Sequence, residues 1–367
     1  MSDLQQAKDL FLQGVTLFEN GQFEAAHGCF EQALVLAPGR PSVLLNLGIT
    51  RMQLGRWQQA LAPLEESLAS QPDQLDGWVA LGMVQNRLGH LSPALEAYVQ
   101  VQRLAPEQAL GWGEAASLLR EMNRLDEAAA HYERALTIAP DHELYSYYLS
   151  ALRGQGGPEQ APRAYVQSLF EQYADDFEPH LLGPLQYRGH SHLIAQLPAQ
   201  VPTQFARVLD LGCGTGLCGP LIRPRAGALW GIDLAQGMID QAQKRGVYDH
   251  LQQADAAQFL ANCKEPWNLV LAADVFIYIG ALEPLFEQLS RLMPAQSWLA
   301  FTAELDESAG VHNRPRLLPS LRYAHPLRYL QECAQAHGFD WHSHHQAPLR
   351  LDQGEPMMAL YAYLQRR

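Results

Sequence analysis

The chain lacks two kinds of segment that direct proteins into membranes or out of the cell. None of its apolar runs approaches the roughly 20 residues that are needed to cross a bilayer. Its first residues, MSDLQQAKDL, lack the basic start and the apolar stretch of a secretory signal peptide. These absences predict a cytoplasmic protein that does not associate with a membrane.

Basic residues and paired cysteines are also scarce. The 26 Lys and Arg residues are outnumbered by 39 Asp and Glu residues, which gives a formal net charge of −13. Nucleic-acid binding depends mainly on basic contacts to phosphates, so we expect no nucleic-acid partner. The cysteines form no C-x-x-C pair and no metal-ligand spacing, which predicts reduced thiols and no metal site. They are Cys29, Cys213, Cys218, Cys263 and Cys333.

The first half of the chain contains an internal repeat of 34 residues. Each unit has the pattern of two amphipathic helices, such as Asp76–Leu88 and Ser92–Ala105, and small residues let the two approach closely. A proline closes each unit because it cannot continue a helix. The recurring columns are Pro38, Pro72, Pro106 and Pro140; Ala26, Ala60, Ala94 and Ala128; Phe30, Leu64, Tyr98 and Tyr132; and Gly14, Gly48, Gly82 and Ala116.

These units resemble the tetratricopeptide repeat. The W-x-x-L-G pattern of that family occurs as Trp78, Leu81 and Gly82, and residues 7–140 cover four copies. The resemblance implies a superhelix whose concave groove docks a protein partner or substrate, with a scaffold or dimer interface as the alternative. Because Lys8 is the array's one lysine, a basic ring for a partner's C-terminal carboxylate is not expected.

A glycine-rich break over residues 153–158 ends this half, and strands and helices alternate from about residue 205. Alternation of this kind builds a parallel sheet with helices on both faces. Two final runs, Trp341–Leu349 and Met357–Leu364, have the pattern of an antiparallel hairpin and bring the expected strands to seven. The other strand candidates are Arg207–Leu211, Ala228–Ile232, Leu251–Ala254, Leu269–Ala273 and Trp298–Thr302.

The most informative segment joins the first two of these strands. Gly212, Gly214 and Gly216 follow the first strand, and glycines allow a sharp turn and close ligand contact because they carry no Cβ. Asp233, about 20 residues further on, stands where an acid can hold a ribose diol. The segment therefore predicts a nucleoside-containing cofactor at the carboxyl end of the first strand.

Two cofactors are compatible with this segment. A G-x-G-x-x-G match beginning at Gly214 also satisfies the dinucleotide pattern. Three features favour S-adenosylmethionine instead. Asp210 precedes the glycines within the strand, Asp255 follows the third strand where adenine's amino group can donate to it, and no second nucleotide-binding half remains.

Residues 165–367 resemble a class I S-adenosylmethionine-dependent methyltransferase, and the whole chain resembles the predicted bacterial methyltransferases that carry tetratricopeptide repeats. The supporting phrases are YVQSLFEQYADDFEPHL, LDLGCGTGLCG, GVYDHL, LAADVFIYIGAL and RYAHPLRYL. The resemblance implies an α-solenoid over 1–153 that includes a degenerate fifth repeat near Glu143. It also implies a linker with cofactor-covering helices over 154–204. A Rossmann-like domain over 205–367, with a mostly parallel sheet, would follow the linker.

The same resemblance assigns roles to the acids at the strand ends. Asp210 would contact the methionine ammonium, Asp233 the ribose hydroxyls and Asp274 the sulfonium end, while Asp255 and Ala256 would hold adenine. Capping of the next helix is the alternative role for Asp210 and Asp233. The full set of predicted cofactor residues is Asp210, Gly212, Cys213, Gly214, Gly216, Asp233, Leu234, Asp255, Ala256 and Asp274.

A cofactor-covering segment and several acceptor-side residues complete the predicted site. The base is not specified, because members of the family differ in needing one. The candidates near the acceptor are Tyr278 after the fourth strand and His312, Tyr323 and His325 in the long loop after the fifth. The covering segment would include Phe170, Tyr173, Ala174, Asp176 and Phe177; His342, His344 and His345 lack completing ligands and are expected to be surface histidines.

We therefore expect a methyltransferase whose repeats dock a protein or carrier-bound substrate. Three alternatives stay open: a small-molecule O-methyltransferase whose repeats oligomerise, a repeat-based scaffold with an idle methyltransferase fold, and a dinucleotide oxidoreductase. The acceptor and the oligomeric state do not follow from the sequence.

Overall fold

The computed structural model of the chain forms two compact units, Met1–Leu149 and Ser150–Arg367. No helix in the described part of the chain is both long and apolar enough to span a bilayer. The structure describes residues 2–154, 157–173, 177–306, 313–352 and 354–367.

The first unit consists of helix pairs that follow the 34-residue period. The helices predicted over Asp76–Leu88 and Ser92–Ala105 occur one residue earlier, as Leu75–Arg87 and Leu91–Leu104. A Cβ at Gly82 would lie 2.9 Å from the Tyr98 ring, so this column must be small for the paired helices to pack. The helices are α1 (Asp3–Glu19), α2 (Phe23–Leu36), α3 (Pro41–Gln53), α4 (Trp57–Ser70), α5 (Leu75–Arg87), α6 (Leu91–Leu104), α7 (Ala109–Glu121) and α8 (Leu125–Ile138).

A ninth helix, α9 (Glu143–Arg153), begins where the degenerate fifth repeat is predicted. Its Tyr145 and Tyr147 are buried, and the Tyr145 ring centroid lies 5.9 Å from that of Tyr132. These aromatic rings cover the apolar end of the fourth helix pair, which would otherwise face water.

The second unit is a nine-stranded sheet with helices on both faces. Parallel strands β3, β2, β1, β4 and β5 lie side by side, and the hairpin of β8 and β9 joins antiparallel to β5. The strands are β1 (Phe205–Leu211), β2 (Ala226–Asp233), β3 (His250–Gln253), β4 (Leu269–Ala272), β5 (Trp298–Leu305), β6 (Arg316–Leu317), β7 (Tyr323–His325), β8 (Phe339–Asp352) and β9 (Glu355–Arg366). The helices are α10 (Arg163–Tyr173), α11 (Phe177–Leu182), α12 (Gly189–Ala195), α13 (Gly219–Ile222), α14 (Gln236–Lys244), α15 (Ala256–Asn262), α16 (Glu283–Leu292) and α17 (Leu327–Ala336).

The sheet separates two apolar clusters, which explains why its central strands β1, β4 and β5 are largely apolar. Neighbouring residues of β1 point to opposite faces, so Val208 joins one cluster and Leu209 the other. Helices cover both faces of the sheet. A ligand is therefore expected to bind at the carboxyl ends of the parallel strands.

Two strands were not expected from the sequence. Tyr323 and His325 were predicted in a long loop after β5, but they lie on β7, which pairs parallel with the end of β5 and antiparallel with β6. Strands of two and three residues are too short to show an alternating pattern. Along β5, β9 pairs with Trp298–Ala303 and β7 pairs with Glu304–Leu305. The partner strand of β5 therefore changes from β9 to β7 near its carboxyl end, and we call this point the fork of β5.

Candidate functional site

The loop after β1 is held in a conformation that favours glycine. Gly212, Gly214 and Gly216 have φ angles of 68°, 54° and 81°, in the left-handed region that L side chains rarely adopt. A Cβ at Gly212 would meet the Val275 side chain at 2.5 Å. A Cβ at Gly214 would meet no described atom within 4 Å, so the backbone at the middle of the loop faces open space.

Asp233 at the end of β2 ties this loop to the neighbouring strand. Its Oδ2 accepts a hydrogen bond from the Gly214 N–H at 2.9 Å, and its Oδ1 accepts one from the Ala235 N–H at 3.0 Å. Desolvation raises the pKa of this carboxyl, and the backbone hydrogen bonds oppose that rise. Each carboxylate oxygen keeps a further lone pair, so Asp233 can hold the loop and still accept from a diol.

Asp210 lies inside the sheet beneath the loop. It is 1% exposed, and its Oδ2 accepts a hydrogen bond from the Tyr248 hydroxyl at 2.6 Å. Burial raises the pKa of Asp210 to about 7, although the Tyr248 hydrogen bond lowers it. The Tyr248 ring also lies under Gly216 and Gly219, where added Cβ atoms would approach it within 2.9 Å and 2.7 Å. The sequence analysis missed Tyr248, although it belongs to the phrase GVYDHL.

Cys213 turns its side chain inward rather than toward the open side of the loop. Its thiol is buried beside Ile239 and Ala242, and burial raises the pKa of that thiol. Its backbone N–H donates to the Ile232 carbonyl at 2.8 Å. Cys213 therefore offers a ligand its backbone only, and its thiol is shielded from solvent.

The end of β3 approaches the end of β2. The Ala254 N–H donates to the Asp233 carbonyl at 2.8 Å, and the Gln253 side chain donates to the Leu234 carbonyl at 3.1 Å. Asp255 caps α15 by accepting from the Gln258 N–H at 3.0 Å, and Ala256 is the first residue of that helix. The structure thus brings the predicted adenine residues next to Asp233.

Helix α10 spans the ends of two strands. Glu171 caps α14, because its carboxylate accepts from the Gln236 N–H at 2.8 Å and the Gly237 N–H at 3.0 Å. On the other side, the Phe170 ring meets the Tyr278 ring edge-on, with centroids 5.7 Å apart. Glu171 was missed by the sequence analysis. Of the predicted covering segment, Ala174, Asp176 and the side chains of Tyr173 and Phe177 lie outside the described residues.

Asp274, just after β4, is fixed by three constraints. It is a non-glycine residue with φ of 62°. Its N–H donates to Thr302 Oγ1 at 2.7 Å, and its Oδ2 accepts from Arg350 Nη1 at 3.0 Å. The Arg350 side chain is 7% exposed, so this is a largely buried ion pair. Neither Thr302 nor Arg350 was a sequence candidate, because strands distant in sequence supply them.

A cavity of about 390 Å³ lies at the fork of β5. Glu304, Leu318, Met357 and Leu360 are among its lining residues. The Met357 sulfur lies 3.4 Å from Arg350 Nη2 and thereby connects the cavity with the neighbourhood of Asp274.

Of the acceptor-side candidates, Tyr278 lies near Asp274, whereas Tyr323 and His325 are hydrogen-bonded to backbone carbonyls. Tyr278 stays near Asp274, and burial followed by the Asp274 charge raises the pKa of its phenol. His325 is fully buried, its Nε2–H donates to the Ile279 carbonyl at 2.9 Å, and burial lowers the pKa of this imidazole to about 4. The Tyr323 hydroxyl donates to the Pro158 carbonyl at 2.5 Å. His312 lies outside the described residues.

The three histidines of β8 make separate contacts. His345 Nε2 lies 3.0 Å from His192 Nε2, and His344 Nδ1 accepts from Trp341 Nε1 at 3.0 Å. The His342 ring meets Trp298 edge-on, with centroids 5.0 Å apart. Across the described ranges, no group of three or more His, Cys, Asp or Glu side chains is arranged to hold a metal ion.

Comparison with known proteins identifies both units. A methyltransferase domain model matches residues 208–295, and a tetratricopeptide repeat model matches residues 11–74 and 79–143. These matches confirm the predicted tetratricopeptide repeats in the first unit and the predicted methyltransferase domain in the second. They lie within the two compact units described above.

Two curated relatives share the name malonyl-[acyl-carrier protein] O-methyltransferase. The Enterobacter lignolyticus (strain SCF1) protein is 30% identical over 159 residues, which are 43% of this chain and 57% of that protein. The Salmonella typhimurium (strain LT2) protein is 27% identical over 165 residues, or 45% of this chain and 60% of that protein. The chain thus spans somewhat more than half the length of these relatives.

Among solved structures, magnesium protoporphyrin IX methyltransferase from Synechocystis PCC 6803 with bound S-adenosylhomocysteine is similar to this chain. The two are 17% identical with a TM-score of 0.44, over 56% of this chain and 99% of that one.

Proposed function

We propose that this chain, a tetratricopeptide-repeat protein with a methyltransferase domain, transfers a methyl group from S-adenosylmethionine to an acceptor that its repeats help to deliver. The observation that carries the proposal is the glycine loop. Its backbone faces open space at Gly214 while Asp233 fixes it from the neighbouring strand. A ligand with a ribose diol fits this arrangement, because a carboxylate and an open backbone surface meet at one strand edge.

In this proposal the predicted cofactor residues act in two ways. The backbone of Gly212, Cys213, Gly214 and Gly216 supports the methionine and ribose parts, and the side chain of Asp233 accepts from the ribose hydroxyls. Asp210 acts indirectly: it is buried beneath the loop, and its hydrogen bond from Tyr248 helps to support the loop's position. The adenine would lie where Leu234, Asp255 and Ala256 meet.

S-adenosylmethionine supplies an electrophilic methyl group when it is bound. The chain's own contribution is alignment and the exclusion of water. Helix α10 suits this task, because Glu171 anchors it at the end of β2 and Phe170 packs on Tyr278 after β4. A helix tied at both points covers the edge of the sheet between them.

The acceptor in this proposal is attached to a protein or carrier. Both curated relatives are named for an acceptor on acyl-carrier protein. The repeats offer apolar contacts for such a partner: Met83 on α5 is 46% exposed and Leu110 on α7 is 41% exposed. Apolar side chains that recur on the first helices of successive pairs can contact one docked partner.

Transfer of tritiated methyl from S-adenosylmethionine into a bacterial cell extract tests this function with the full chain. The proposal expects label in the macromolecular fraction, lost with Asp233→Ala and reduced with Met83→Asp. Val35→Asp is the matched control, because Val35 is 80% exposed but lies on α2, the second helix of its pair. Label confined to small molecules and insensitive to Met83→Asp would instead favour repeats that only oligomerise.

A further inference from the structure

Two of the first helices in the repeats, α5 and α7, present matching faces. The 34-residue period places Leu110 at the position of Asp76 and Ser117 at the position of Met83. Residues seven apart lie on one face of a helix, so the two pairs mark the same face in successive units. Met83 is 46% exposed and Leu110 is 41% exposed. The α5–α7 surface that these faces form is therefore partly apolar and open to solvent.

The one cation in each of these helices is held against a neighbouring helix. The Arg87 guanidinium lies 5.7 Å from the ring centroid of Trp57 on α4, and the Arg120 guanidinium lies 4.8 Å from that of Tyr148 on α9. Arg120 also forms a hydrogen bond with the buried Tyr132 phenol. Contacts between a cation and an aromatic ring hold the guanidinium in place. Both arginines are therefore engaged within the repeats.

The acids of the same two helices lack such partners. Glu114 follows Leu110 by one turn and is half-buried, while Asp76 and Glu121 are exposed. Among the described residues of the repeats, no Lys, Arg or His side chain forms an ion pair with any of the three acids. Burial, and after it the Glu121 charge, raises the pKa of the Glu114 carboxyl. A cation placed beside Glu114 would therefore stabilise its charged form.

The charge of the whole first unit has the same sign. Residues 1–149 contain 18 Asp and Glu residues but nine Lys and Arg residues. Several of these cations are already paired with acids, as Arg51–Glu31, Arg56–Glu24, Arg124–Glu127 and Arg134–Glu107. The acids that are left without a cation attract a basic partner and repel an acidic one.

We propose that the α5–α7 surface docks a basic amphipathic helix of the partner protein, with apolar residues on one side and lysine or arginine beside them. This inference rests on the proposed function, because the partner is the protein that the repeats deliver. The apolar side of the helix contacts Met83 and Leu110, as in other complexes in which a helix lies on an apolar surface. Its cations pair with Asp76, Glu114 and Glu121.

The test measures the fluorescence anisotropy of two labelled synthetic helices with the full chain. One helix carries leucine on one side and lysine on the other, and the second has glutamate in place of each lysine. The lysine helix should bind, and the glutamate helix should bind at least about tenfold more weakly. Glu114→Gln combined with Glu121→Gln should weaken the lysine helix by about fivefold, because two of its ion pairs are lost.

Matched variants separate docking from general attraction to an acidic protein. Glu65→Gln combined with Glu66→Gln removes the same charge from exposed positions on α4, a second helix, and should leave the affinity within about twofold. Leu110→Ser should weaken the lysine helix by about threefold, since it removes apolar contact without changing charge. If the Glu114 variant folds poorly, Asp76→Asn combined with Glu121→Gln should give the same loss as the first pair.

Three results would overturn the inference: no binding of the lysine helix, equal or tighter binding of the glutamate helix, or equal weakening by the α7 and α4 variants. A Leu110→Ser variant that changes the sedimentation of the chain but not its affinity for the lysine helix would assign the surface to a second copy instead. Calorimetry with S-adenosylhomocysteine is run on the same samples. Intact cofactor binding with failed docking rejects this inference alone, whereas absent cofactor binding contradicts the proposed function.

Discussion

The Asp233 carboxylate accepts the Gly214 N–H at 2.9 Å, so the end of β2 holds the glycine loop of β1 with its middle residue facing open space. A side chain added at Gly214 would therefore occupy space that the ligand needs, without overlapping other protein atoms. Its effect on ligand binding should exceed its effect on folding.

Gly214→Ala should weaken the binding of S-adenosylhomocysteine by more than about tenfold, because the added methyl group occupies ligand space. It should also lower the free energy of unfolding by about 1 kcal/mol, since φ is positive at this residue. Gly21→Ala is the control: Gly21 has φ of 73° and also faces open space, but it lies between α1 and α2 in the repeats. Calorimetry and urea unfolding measure the two effects. Equal loss of affinity in both variants would contradict the assignment of the loop.

Asp210 should make stability depend on pH. Its native pKa of about 7 lies above the unfolded value near 4, so between these values the native state keeps a proton that the unfolded state has released. The free energy of unfolding should therefore fall as the pH rises through this range. His325, with a pKa lowered to about 4, acts in the opposite direction in an overlapping range. Urea unfolding at pH 5 and pH 7.5 should show a smaller fall in Asp210→Asn than in the unaltered chain.

Arg350→Met should destabilise the second unit by about 3 kcal/mol, because it leaves the Asp274 carboxylate without its partner in a largely buried position. The double variant Arg350→Met with Asp274→Asn should recover much of that loss, since no charge is then left unpaired. Chemical denaturation of both variants measures the difference. Equal stability of the single and double variants would mean that the ion pair contributes little.

Gly82→Ala should lower the stability of the repeats by about 1–3 kcal/mol, because the new Cβ overlaps the buried Tyr98 ring. Gly28→Ala within α2 meets no atom within 4 Å and should instead stabilise its helix by roughly 1 kcal/mol. Circular dichroism during thermal unfolding distinguishes the two. A stabilising effect of Gly82→Ala would show that the paired helices do not need a small residue there.

The elements of the fold were predictable where their pattern is long. Helix bounds in the repeats shifted by one residue, and β1, β2, β4 and β5 were found because largely apolar runs mark strands buried on both faces. Strand β3, which is short, mostly polar and exposed, does not have such a run. Strands β6 and β7 were not predicted, because two or three residues are too few to show a periodic pattern of apolar residues. That omission placed His325 in a loop, whereas it is buried on a strand.

The candidate site was predictable only in part, for a related reason. The glycines and acids of the cofactor loop are close in sequence, so their spacing indicates a shared task. Tyr248, Glu171 and Arg350 act through contacts with residues 38, 65 and 76 positions away in sequence. No local sequence pattern predicts such pairs, because the order of the strands in the sheet and the packing of α10 bring the two partners together.

Binding of S-adenosylmethionine to the full chain tests the central claim most directly. Isothermal calorimetry should show saturable one-to-one binding to the unaltered chain and to Asp240→Asn, and a loss of at least about tenfold in affinity with Asp233→Asn, which removes the charged acceptor of the ribose hydroxyls. Absence of binding to the unaltered chain, or equal affinity in the Asp233 and Asp240 variants, would contradict the placement of the cofactor at this strand edge.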